Sequence, residues 1–563
     1  MLTRWGETLD KNNVLGEYPR PQMRRSSFIN LNGLWDYAFT AAGEKQPDKW
    51  YGKILVPFSP ESELSGVGRT LSPDEYLWYR RDWAKPDVGE GRVILHFGAV
   101  DQSCTVYING LRAYRHNGGY LPFEFDATGF LSKDVNELSL SVRDVSDTSY
   151  HSRGKQKLKR GGIWYTPQSG IWQTVWAECI PKDCVRSLHI TPDFDHACVN
   201  VRADVVGESK AYALFDGQQY PLPASIPVPG FEPWSPENPK LYDFSVICGA
   251  DRVESYFAMR KFSVEADENG VKRLFLNGKP YFHNGLLDQG YWSDGMYTAP
   301  SDEALIFDIQ TAKDMGFNML RKHIKIEPLR WYYHCDRLGM LVWQDMINGG
   351  GNYNPAVISA PLVTGVHISD KNHKIFARED LEGRMEYETE LNEMIELLYN
   401  CPCIAMWVPF NEGWGQFDAA RIAEKIANAD PTRTIDHASG WHDQKIGQTK
   451  SLHVYFKKYV FKPDKLGRAV MLTEFGGYNY RCAGHSFGSA DFGYKKLKSP
   501  ADLQKALEKL YSEQIKPAYK QGLSAAVYTQ LSDVEEEVNG LVTYDRKVVK
   551  LPSETMRKIV NVE

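Results

Sequence analysis

After residue 265 the sequence changes grammar, and that change limits the fold more than any other feature. Short apolar runs begin to alternate with amphipathic stretches. Strands are predicted near 281–286, 317–321, 340–344, 404–410, 433–436, 451–455, 469–473 and 523–528. Helices are predicted between several of them, including SDEALIFDIQTAKDMG (301–316) and EDLEGRMEYETELNEMIELLYN (379–400). In the second helix Met385, Leu391, Met394, Leu397 and Leu398 form a stripe at helical spacing. Eight strands with intervening helices in about 280 residues is the size of a (β/α)8 TIM barrel.

A chain of 563 residues is too long for one core. Residues 1–182 read as an antiparallel β-sandwich. Runs such as RVILHFGAV (92–100), CTVYING (104–110) and NELSLSVRDV (136–145) alternate in polarity, and Asn109-Gly110 supplies a turn. Residues 183–265 read as a second sandwich, of a size that suits an immunoglobulin-like unit. Within it FEPWSPENPKLY (231–242) is too rich in proline for a central strand. The barrel takes residues 266–563.

Composition excludes several function classes. Apolar residues make up 42% and charged ones 25%, a soluble globular balance. The net charge is −6 and no basic block occurs, which argues against nucleic acid as a partner. No run of ~20 apolar residues is present, and the N-terminus lacks a charged start followed by an apolar stretch. The expectation is a cytoplasmic protein that does not engage a membrane. Nine cysteines at irregular spacing fit reduced thiols, and Cys401-Pro402-Cys403, the only close pair, makes a poor zinc site. Aromatic residues reach 13%, which suits sugar binding and also large β-rich folds.

The polar residues at the predicted strand ends point to chemistry, because a barrel builds its site there. They are Arg321, Lys322 and His323; Gln344 and Asp345; Asn411 and Glu412; Asp436 and His437; His453 and Tyr455; Glu474; and Tyr528 and Gln530. Glu412 and Glu474 end strands four and seven, which face each other across the mouth. One reading pairs one or both with Arg321 as a structural salt bridge. The other is glycoside hydrolysis, which needs two carboxyls flanking one bond, one ionised and one protonated. Trp292, Trp343, Trp414 and Trp441 lie near strand ends, where an aromatic face packs on a pyranose or simply in a core. Asp288 is placed either to bind a sugar hydroxyl or to cap the next helix.

WVPFNEGWGQF (407–417) and AVMLTEFGG (469–477), together with the three-part order, resemble glycoside hydrolase family 2. RGGIWYTPQSGIWQTVW (160–176) resembles the end of that family's first domain, and GFNMLRKH (316–323) with WYYHCDRLGMLVWQD (331–345) its barrel start. The resemblance implies a jelly-roll sugar-binding domain, an immunoglobulin-like domain and a catalytic barrel. It implies Glu412 as acid/base, Glu474 as nucleophile, Asn411 on the sugar 2-hydroxyl and Tyr455 holding the nucleophile. His453, Trp414, His323, Arg321, Asp288, Trp343, Asp345 and Tyr528 complete the expected substrate-binding set.

Three departures bear on the sugar. A histidine usual after strand two would fall at Ile324 and here comes one residue early, at His323. Lactose-splitting members carry histidine three residues beyond the nucleophile, where this chain has Gly477. No clear Asn-x-Lys, the pair with which β-glucuronidases hold a sugar carboxylate, occurs late in the barrel; Lys322, Arg481 and Lys547 are the basic alternatives.

The expected function is a retaining, exo-acting β-glycosidase, β-galactosidase first, with β-glucuronidase or β-galacturonidase as the alternative. A non-catalytic carbohydrate-binding protein on the same scaffold is the reading from another class. The chemistry requires no cofactor, and bound Mg²⁺, Na⁺ or Ca²⁺ is left open. The expected partner is an oligosaccharide or glycoside, in a homodimer or homotetramer as the family implies.

Overall fold

The computed structural model describes residues 1–41 and 45–562. The first unit is a sandwich of two antiparallel sheets. One runs in the order Ile29–Asn30, Val175–Ile180, Arg92–Phe97, Phe123–Asp126. The other runs Gly52–Val56, Gly33–Ala41, Glu75–Ala84, Val135–Arg143, Ser103–Ile108, Leu111–Asn117. Strand Ser103–Ile108 buries every second residue, as a half-solvated sheet demands. The inward side chains of both sheets, among them Trp35, Tyr79, Leu95 and Val106, form one core. A second, smaller sandwich follows, with sheets of three and four strands between Cys184 and Phe257.

The third unit is the expected barrel. Eight parallel strands pair in the order Thr434–Ile435, Ile404–Val408, Leu341–Asp345, Met319–Lys322, His283–Asp288, Ala525–Thr529, Ala469–Gly476, Thr449–Val454. Strands Ile404–Val408 and Ala469–Gly476 are buried at every position, because helices or barrel interior cover both faces. The ring is nearly closed. Between the fifth and sixth strands side chains bridge the seam: the Thr449 hydroxyl donates to the Ile435 carbonyl at 2.8 Å, and the Ser451 hydroxyl to Asp436 at 2.8 Å.

Both predicted helices form. Asp302–Asp314 starts where the Ser301 hydroxyl accepts from the Ala304 amide, with Asp302 and Glu303 in its first turn. Leu381–Leu398 starts at Asp380, whose carboxylate accepts from the Gly383 amide at 2.8 Å. Its buried stripe is Tyr387, Leu391, Met394, Ile395 and Leu398. Met385, expected in that stripe, is 61% exposed, because Tyr387 supplies the inward residue of that turn.

The segment after strand Val135–Arg143 leaves the first sandwich and docks on the barrel mouth. The amides of Arg153 and Gly154 donate to the Asn348 carbonyl at 3.0 and 3.1 Å. The Ser152 hydroxyl donates to buried Glu390, on helix Leu381–Leu398. Among the described residues no helix is long and apolar enough to cross a membrane. All nine cysteines are free thiols.

Candidate active site

Arg321 organises the floor of the mouth. It is fully buried and ends strand Met319–Lys322 facing inward. Its Nε donates to Asp345 Oδ1 at 3.0 Å, Nη1 to Glu474 Oε1 at 3.3 Å, and Nη2 to Asn411 Oδ1 at 2.8 Å. One guanidinium thus fixes residues from strands three, four and seven. The structural salt bridge considered from sequence exists at Glu474, and it orients that carboxylate rather than removing it from the mouth. Asn411 Nδ2 is buried with no hydrogen-bond partner among the described residues.

The two glutamates converge. One oxygen of Glu412, one of Glu474 and a ring nitrogen of His453 all lie within 4.8 Å of one another. His453 Nδ1 is 2.7 Å from Glu412 Oε1 and 3.5 Å from Glu474 Oε2. The Tyr455 hydroxyl donates to Glu474 Oε2 at 2.5 Å and meets Thr529 Oγ1 at 2.9 Å. Its ring stacks on Tyr494, with centroids 3.8 Å apart. These side chains come together because His453 and Glu474 stand opposite each other on neighbouring strands. Beyond strand Ile404–Val408 the chain continues alongside the fifth strand, the Glu412 amide donating to the Ser439 carbonyl at 3.0 Å.

The environments push the two carboxyls apart. Burial raises Glu412, and the charge of Glu474 raises it further, so it holds its proton above the ordinary carboxylate range. Burial alone would also raise Glu474, but His453 and Arg321 outweigh it and hold this carboxyl below that range. The same three donors form the one potential metal cluster among the described residues. A divalent ion would need each donor at ~2.0–2.2 Å, whereas His453 and Glu412 already bond to each other.

His323 does face the mouth. Its Nδ1 is 2.7 Å from Asp345 Oδ2, and burial holds the ring neutral, leaving Nε2 buried without a partner. Trp414 stands at the rim, 5.2 Å from Trp164 of the first sandwich. Trp441 lies 6.3 Å from the His453 ring. Gly477 is left-handed, with φ of +65°, and a Cβ there would meet Tyr494 at 2.3 Å.

Three expected site residues lie elsewhere. Trp343 faces inward one layer below Asp345; fully buried, it donates Nε1 to His283 at 2.9 Å. Asp288 neither caps a helix nor meets the mouth. It bonds Lys322 at 2.7 Å, and Lys322 lies over the Trp331 ring of helix Leu329–Leu338. Tyr528 packs on Phe475 and Tyr478, and its hydroxyl accepts from the Tyr478 amide. Its neighbour Thr529 is the residue that reaches Tyr455. Trp292 packs against Trp5 and Arg546.

Residues the sequence did not single out also border the site. Lys155 and Trp164 come from the docked segment of the first sandwich, and Ser439, Thr473 and Tyr494 from the barrel. A separate cavity of about 530 Å³ lies at the junction of the three units, lined by Phe97, Trp172, Trp176, Ile326 and Leu329, and includes neither glutamate.

Known proteins share this fold. A β-galactosidase of Thermoanaerobacter pseudethanolicus is 24% identical over 389 residues, covering 63% of this chain and 48% of its own length. Two further relatives are covered over 41% and 37% of theirs, so the chain spans less than half the length of these curated relatives. Among solved structures, a β-D-glucuronidase for Dictyoglomus thermophilum superposes with a TM-score of 0.75 at 16% identity, over 96% of this chain and 98% of its own. A β-galacturonidase from Eisenbergiella tayi bound to galacturonate gives 0.72 at 18%, over 96% and 99%. At such identities the likeness is one of fold. Two family descriptions match in order: "Glycosyl hydrolases family 2, sugar binding domain" over residues 69–176 and "Glycosyl hydrolases family 2, TIM barrel domain" over residues 269–474. The first falls on the sandwich that docks on the mouth and the second on the barrel that carries both glutamates, and on this ground the chain belongs to glycoside hydrolase family 2.

Proposed function

We propose that the chain hydrolyses terminal β-linked sugars with retention, Glu474 acting as nucleophile and Glu412 as acid and then base. The observation that carries this reading is the approach of one oxygen of each carboxyl within 4.8 Å, in environments that favour the ionised form of Glu474 and the protonated form of Glu412. That approach suits the ~5–5.5 Å carboxyl separation of a retaining site and falls short of the ~6.5–9.5 Å that leaves room for water in an inverting one.

In the first step Glu474 attacks the anomeric carbon while Glu412 donates its proton to the departing oxygen. His453 holds Oε1 of Glu412, which leaves Oε2 for that oxygen. Tyr455 and Arg321 keep the attacking carboxylate aimed. Once Glu474 is esterified its charge is gone, Glu412 becomes more acidic, and it can take a proton from the incoming water. The free amide of Asn411 is available for the sugar 2-hydroxyl, where a bond tightens as charge builds on the ring. No step asks for a cofactor.

Relatives carry both β-galactosidase and β-glucuronidase names. A panel of nitrophenyl β-galactoside, β-glucoside, β-glucuronide and β-galacturonide tests the proposal. Turnover of at least one, with a product of retained configuration by NMR, is expected. A protein that binds sugars without cleaving any of them would defeat it.

A further inference from the structure

We propose that Lys155, carried into the barrel mouth by the first sandwich, selects a terminal sugar that bears an anionic group. This rests on the glycosidase reading above and adds to it the class of sugar.

Four lysines are buried among the described residues: Lys155, Lys322, Lys325 and Lys550. Three are neutralised. Lys322 bonds Asp288 at 2.7 Å and Glu327 at 2.8 Å, Lys325 bonds Glu327 at 2.9 Å, and Lys550 bonds Asp533 at 2.7 Å. Lys155 is only 5% exposed, yet among the described residues its ammonium has neither an ion pair nor a hydrogen bond. Its Nζ lies 5.7 Å from the ring centres of Tyr165 and of Trp414. A buried ammonium that touches no carboxylate is costly, and the structure holds this one in place. Its carbonyl accepts from the Tyr165 amide at 2.9 Å, and the two residues before it are pinned to Asn348.

The position is the sugar's. The Lys155 charge bears on Glu412, Glu474, Asp345 and His323. His323 and Asn411, joined through Asp345 and Arg321, each hold a nitrogen, Nε2 and Nδ2, that is buried and unpartnered among the described residues. With Nδ1 of His323 turned to Asp345, its Nε2 presents an acceptor for a sugar hydroxyl. An anion on that sugar would supply the missing partner of Lys155. The other basic residues considered from sequence are occupied: Lys322 as above, Arg481 by backbone carbonyls of the 488–490 turn, and Lys547 by Glu7. The anion can be the carboxylate of a uronic acid or a sulfate ester, which present the same charge to an ammonium.

The test compares kcat/KM of the full chain and of K155M, K155Q and K155R on nitrophenyl β-glucuronide, β-galacturonide, 6-sulfo-β-galactoside and unmodified β-galactoside. The wild type is expected to prefer an anionic substrate, and which one it prefers separates carboxylate from sulfate. K155M and K155Q should lose about 100-fold more on that substrate than on the neutral one, with K155R partly restoring the difference. Equal losses on charged and neutral sugars would make Lys155 a tuner of the glutamates and overturn the proposal. Wild-type turnover of neutral glycosides alone would also overturn it and leave the glycosidase reading standing; turnover of none would overturn both. Unchanged melting temperatures of K155Q and K155R separate lost recognition from lost folding.

Discussion

At the scale of single residues, Glu412 and Glu474 are the same chemical group made to behave differently. On the proposed roles, E474Q replaces the attacking carboxylate by a neutral amide, so it should lose nearly all turnover whatever the leaving group. E412Q removes a proton donor, a loss of about 10²–10⁴-fold on poor leaving groups. It should retain clear activity on dinitrophenyl glycosides, and equal defects on those substrates would contradict the roles. The pH profile has a defined sign. In the proposed mechanism Glu474 is ionised, and it sits below its ordinary 4.5, so the acid limb of kcat/KM should lie below that value. Glu412 must be protonated and sits above its own, so the alkaline limb lies above it. Y455F deletes a donor to the ionised Glu474, so the acid limb should move up in pH and kcat fall by about 10–100-fold. An unmoved acid limb would show that the hydroxyl does not stabilise the charge. Both glutamates and Asn411 were legible as candidates because they lie within two residues of an apolar run, WVPF before Asn411-Glu412 and AVML before Thr473-Glu474. Trp343, Asp288 and Tyr528 were not, because strand-end position leaves two things open. Alternation turned Asp288 outward onto Lys322, and depth put Trp343 one layer too low.

At the scale of elements, the barrel strands were legible to within about three residues, because strands buried on both faces read as unbroken apolar runs; the largest miss is strand seven, which runs on to Gly476. Strand five is the weakest of them, two residues long, and its neighbour across the seam is reached through Thr449 and Ser451 hydroxyls. Such a closure depends on side chains, which a period-two pattern cannot register. The helix Leu381–Leu398 was legible as a helix, and Leu391, Met394 and Leu398 of its expected stripe are buried, but Met385 is exposed and Leu397 only half-buried. A methionine scores as apolar wherever it falls, and Tyr387 took the place given to Met385.

At the scale of the whole molecule, the contact that matters is the one between units far apart in sequence. Glu390, on a barrel helix, accepts from Ser152 of the docked segment, and burial raises its carboxyl to about 7. The sign follows from proton binding. The folded state keeps a proton that the unfolded chain releases above 4.5, so stability falls as pH rises from 4.5 through about 7. E390Q removes this dependence. The drop in melting temperature from pH 5 to pH 8 should therefore be smaller in the variant, by the equivalent of up to about 3 kcal/mol. An identical drop in both proteins would place Glu390 outside the titration. Nothing in residues 150–157 advertises this contact, since a polar loop between two strands reads as linker.

That docked loop also limits how the chain can be rearranged by recombination. Because the Lys155 ammonium beside the Trp414 ring is encoded more than 100 residues upstream of the first barrel strand, the proposed selectivity predicts that a chimera keeping the barrel and exchanging its leading sandwich would inherit the donor's taste in sugars.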